Sequence, residues 1–77
     1  MAQVYFHCSN TEGVWVDRRG AVLSDLAEAQ HHAALVVQSL LMAPSTEDWR
    51  EWVLHVVDDL VNEIFRVLFA SRLGKPH

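Results

Sequence analysis

At 77 residues with a single cysteine, the chain is one small domain without an internal disulfide. Hydrophobic residues make up 51% of it and charged residues 21%, which excludes a disordered chain, and no apolar run reaches the ~18 residues of a membrane span. The net charge of −4 comes with only six basic residues, scattered at Arg18, Arg19, Arg50, Arg66, Arg72 and Lys75, so nucleic acid is disfavoured as a partner.

Taken in chain order, residues 3–8 alternate. Val4, Phe6 and Cys8 point one way and Gln3, Tyr5 and His7 the other, the period of a strand. Residues 14–17 give a second short strand, joined to the first by a loop containing Gly13. Asp17-Arg18-Arg19-Gly20 is a turn. Asp25 and Glu28 have the spacing of a helix capping box. Leu26, Ala29, Ala33, Val36, Val37, Leu40 and Leu41 then form a helical stripe that ends before Pro44, leaving Asp25, Glu28, His32 and Ser39 facing water. Residues 47–70 fit two patterns. Trp49, Trp52, Val53, Val56, Leu60, Ile64, Val67 and Leu68 fall on one helical face. Yet 52–57 and 64–69 are rich in β-branched and aromatic residues, with polar Asp58-Asp59 and Asn62-Glu63 between them. The pattern leaves ββαα open beside a closing hairpin. Residues 74–77 form a flexible tail to a single domain, 1–77.

Val4-Tyr5-Phe6-His7, Asp17-Arg18-Arg19-Gly20 and Asp25-Leu26-Ala27-Glu28-Ala29 together resemble the signature of a family of small uncharacterised bacterial proteins, a domain of unknown function. Its strand–Asp-rich turn–strand ending is similar to Trp52–Asp59 followed by Ile64 to Val67-Leu68-Phe69. The resemblance implies an α+β fold of order β-β-α-β-β, one helix on a four-stranded, mainly antiparallel sheet. It implies no activity. Relatives often carry glycine in the last turn, where this chain has Leu60 and Val61.

Given that order, strand alternation assigns Val4, Phe6, Cys8, Leu54, Val56, Phe65, Val67 and Phe69 to the helix side. The other face takes Tyr5, His7, Val53, His55, Val57, Ile64, Arg66 and Leu68, the interface candidates. No segment is left to cover them, and contiguous exposed apolar surface usually marks an interface. The expected role is a non-enzymatic interaction module, self-associating or docked on a protein. Alternatives are an antitoxin-like or nucleic-acid-binding regulator and a metal or small-ligand sensor using His7 and His55. Two histidines fall short of the three or four ligands of a transition-metal site, so no metal or cofactor is expected. Glu28 and His32 share a solvated helix face, and Cys8 is a buried structural thiol. Asp58, Asp59 and Glu63 make a polar turn without the glycine of a calcium loop. Trp49 and Trp52 pack at the core rim. No phosphate loop and no serine in a strained turn is present, so catalysis is not expected. No basic leader opens the chain, and a lone thiol suits a cytoplasmic address.

Overall fold

A computed structural model describes residues 2–44 and 46–72; the expected tail at 74–77 lies outside them. Strand β1 (Ala2–Ser9) alternates as its sequence does, with Val4, Phe6 and Cys8 buried and Gln3, Tyr5, His7 and Ser9 half-exposed. Strand β4 (Val53–Asp58) lies antiparallel along one side of it, from Val4 opposite Asp58 to Ser9 opposite Val53. Strand β5 (Glu63–Leu68) pairs with β4 and forms the outer edge. The ambiguity at 47–70 thus resolves as a hairpin.

The other side of β1 carries two short antiparallel strands, β2 (Val14–Trp15) and β3 (Ala21–Leu23). The sheet is five-stranded. The α+β class holds, but β3 adds a strand the sequence reading lacked. Strands β2 and β3 are one interrupted edge strand. From the Cys8–Trp15 pair to the Val4–Ala21 pair, β1 advances four residues and its neighbour six. The two extra residues throw residues 16–20 out from the edge.

Helix α1 (Leu26–Met42) begins at N-cap Asp25 with the first half of a capping box, Glu28 reaching back one residue past the cap. The Asp25 carboxylate accepts from the Glu28 amide at 2.8 Å, and Glu28 Oε1 accepts from the Ser24 amide at 2.6 Å. Ala29, Ala33 and Val37 are its buried residues, and these small side chains let the helix lie close on the sheet. His32 departs from expectation. It is half-buried, and its ring packs on Phe6 with centroids 4.7 Å apart. A histidine at the edge of the apolar stripe can turn its ring face inward while its nitrogens stay wet.

The far end of the core is aromatic. Trp49 stacks on fully buried Phe69 at 5.2 Å and meets Trp52 at 5.1 Å, while Trp15 leans on Trp52 at 4.5 Å. The indole N–H of Trp52 donates to Glu47 at 3.1 Å. Cys8 is buried, and that burial pushes its thiol up to about 11.

The β4–β5 turn is built on Asp58, whose carboxylate accepts from the Leu60 and Asn62 amides. Val61 takes the glycine-favouring conformation, with φ 65°, and is 80% exposed. That conformation costs a branched residue roughly 1–2 kcal/mol. Val61→Gly is expected to raise stability by about 1 kcal/mol despite glycine's freer unfolded state, moving the thermal midpoint up by ~4–8 °C. A midpoint at or below that of the parent would contradict the turn.

The β4–β5 register slips at Val56/Val57. Val56 faces Phe65, yet Val57 faces Glu63, so Ile64 is an inserted bulge residue. The bulge corrects one interface candidate. Ile64 lies on the helix side, lining a cleft with Val4, Leu26 and Ala29. Glu63 takes the outer-face place that simple alternation gave to Ile64.

Candidate functional site

Two polar clusters occupy the outer sheet face and its edge. The first is centred on Asp17 in the 16–20 excursion. No strand residue pairs there with the Phe6 amide, and the Asp17 carboxylate substitutes, accepting from it at 3.1 Å. The same carboxylate accepts from the Arg19 and Gly20 amides, both at 3.1 Å. Asp17's own amide donates to His7 Nδ1 at 2.9 Å. His7 Nδ1 is therefore the unprotonated nitrogen. Partial burial works against ionisation of Asp17. The amides of Gly20, Phe6 and Arg19 outweigh it and hold the carboxyl below the usual carboxylate value. Gly20 closes the excursion with φ 67°.

The second cluster crosses β1, β4 and β5. His55 sits directly opposite His7. Its Nε2 lies 2.7 Å from Ser9 Oγ and its Nδ1 2.6 Å from Glu63 Oε1. Glu63 Oε2 accepts from Arg66 Nε at 3.1 Å. A carboxylate can only accept, so His55 Nδ1 carries a proton and donates to Glu63. The His55 bond, reinforced by Arg66 against some desolvation, lowers the Glu63 pKa. Hydroxyl, imidazole and carboxylate follow in the order of a nucleophilic triad. Among the amides next to Ser9, that of Asn10 bonds Gly13, and those of Glu12 and Gly13 bond the Asn10 side chain. The chain fixes the imidazole plane and joins three strands.

Of the interface candidates, Tyr5, His7, Val53, His55, Val57, Arg66 and Leu68 occupy outer-face positions, and Ile64 does not. Val57 is only 8% exposed yet stands outside the helix-side cluster. The face is more polar than expected. A strip of His7, His55, Glu63 and Arg66 separates Tyr5 and Val57 from Val53 and Leu68. Among the described residues no three His, Cys, Asp or Glu side chains are grouped to hold a metal ion. Sequence reasoning missed Ser9, Asp17 and Glu63. Asp17 carried a signal, since an Asp-x-x-Gly turn commonly folds its carboxylate back on its own amides.

The fold and this face define a small two-layer α+β domain whose sheet carries a helix on one side only. The match of residues 3–70 to the family described as a domain of unknown function (DUF6894) shows that the chain belongs to it. No curated protein and no solved structure matches the chain.

Proposed function

We propose that the domain is a non-enzymatic interaction module that pairs with a second copy of itself through the outer sheet face. The observation carrying this reading is that, among the described residues, no helix or strand packs over the outer face. The molecule measures 35 × 29 × 19 Å. Its thin dimension accommodates one sheet and one helix layer, about 10 Å each. Its broad dimensions can supply the ~800 Å² per partner of a stable interface. Tyr5, Val53 and Leu68 provide apolar contact on either side of the polar strip, with buried Val57 beneath them. Within that strip Glu63 and Arg66 stand side by side at 2.9 Å, so a copy related by a two-fold can meet each with its opposite. One carboxylate against one guanidinium gives little pull on a phosphate backbone, and both His55 nitrogens are already bonded. These points favour a protein partner over nucleic acid or metal. Cytoplasmic residence in a bacterial cell belongs to the same reading, supported by the free buried thiol. No helix among the described residues is long and apolar enough to cross a membrane.

Sedimentation velocity tests the proposal. The parent should sediment as a dimer, and Val53→Lys combined with Leu68→Lys should weaken association ~100-fold or more by desolvating two charges. Leu35→Lys, at a helix position 50% exposed, should leave the dimer intact. A monomeric parent, or a double variant that still dimerises, would reject the face as the interface.

A further inference from the structure

A cleft of about 400 Å³ opens between the 16–20 excursion and α1, on the helix side of the sheet. Trp15 and Val16 border it on the edge-strand side, Val36 and Leu40 on the helix side, and Phe6 lines it from β1. The volume lies within the ~300–1,000 Å³ of small-molecule sites. Trp15 is still 51% exposed although it leans on the aromatic core, and Val16 is 56% exposed. Apolar surface is thus left open at a concave place, where an apolar body can displace water.

The polar groups of the cleft differ in what they have spare. Asp17 lines it, but its oxygens already accept from Phe6, Arg19 and Gly20. Arg19 is anchored through its backbone, whose amide donates to Asp17 and whose carbonyl accepts from Gln3 Nε2. Its guanidinium has no hydrogen bond or ion pair among the described residues. The His32 ring is held flat against Phe6, and its nitrogens likewise have no partner there. The spare capacity is led by a cationic fork of donors, which matches a planar oxyanion. The negative charge of Asp17 in the same lining favours a monoanion over a phosphate dianion.

We infer that this cleft binds a small amphipathic carboxylate, its apolar body between Trp15 and the helix and its carboxylate on Arg19. The site lies off the outer sheet face, so it stands or falls independently of self-association.

Octanoate and octan-1-ol, which share an alkyl chain, are the probes, each titrated into ¹⁵N-labelled protein. Octanoate should give saturable shifts at the Arg19 and Gly20 amides and the Trp15 indole N–H, with octan-1-ol at least about 10-fold weaker. Arg19→Gln should weaken octanoate ~10-fold and leave octan-1-ol unchanged. Arg18→Gln removes the same charge one residue away, outside the cleft lining, and should change neither. An unaltered amide spectrum confirms that each variant is folded. Absence of saturation, shifts centred elsewhere, equal binding of the alcohol, or an Arg19→Gln protein that binds octanoate like the parent would overturn the assignment.

Discussion

Alanine at position 20 is expected to destabilise the protein by roughly 3–5 kcal/mol, combining left-handed backbone strain with overpacking. Gly20 has φ 67°, and a Cβ there would stand 2.5 Å from the Val4 carbonyl oxygen, 2.5 Å from Gln3 Nε2 and 2.9 Å from Tyr5 Cδ2. The Gln3 side chain can swing away. The Val4 carbonyl belongs to the central strand and cannot. Relief must come from the excursion itself, which would pull the Gly20 amide off Asp17. A domain of this length has about 4–12 kcal/mol in total, so about a quarter or more of its stability is at stake. Urea unfolding followed by tryptophan fluorescence would measure it, and a thermal midpoint ~15 °C or more below the parent is expected. A variant melting within a degree or two of the parent would show that residue 20 is not so confined.

Asp17→Ala is the second large effect, at about 2–3 kcal/mol, because it strands the Phe6 amide within the sheet and opens two loop amides to water. Asp17→Asn keeps one acceptor and should fall between parent and alanine. The two also separate by pH. The folded Asp17 carboxyl titrates below its ordinary value. Its contribution is therefore complete above the unfolded value of about 3.9 and is lost as pH falls through the lower folded one. The parent should lose stability below about pH 4, and Asp17→Asn should show a shallower acid limb. Asp58 and Glu63, also lowered, will keep that limb from vanishing. Parallel acid limbs in parent and Asp17→Asn would refute the bonding assigned to Asp17.

The elements legible in the sequence were those whose signals are local. Alternation gave β1, Asp25 and Glu28 gave the start of α1, and Pro44 its end. The closing hairpin needed the family resemblance, because β-branched runs joined by a polar turn also satisfy a helical period. What stayed hidden depends on partners distant in the chain. Strand β3 is three residues long and is a strand only because β1 runs beside it. His32 was assigned to water because its contact, Phe6, lies on another element. The Ser9–His55 bond spans 46 positions. The bulge at Ile64 is the most instructive case. Period-two counting assumes one residue per step, so a single insertion moved Ile64 to the helix side and brought Glu63 onto the face with His55 and Arg66. Alternation matches the register of β1 and β4 and fails on β5 only at its bulge.

The interrupted edge strand bears on how large any assembly of this domain can grow. One border of the sheet is broken into strands of two and three residues by the excursion between them, a poor template for another chain. The opposite border, β5, is a run of six residues whose outer side pairs with no strand among the described residues. A sheet with one blunted and one open border can extend in one direction only. If two copies joined at their open borders, the blunted ones would face outward on both ends, and growth would halt at a closed pair instead of running on into a fibre.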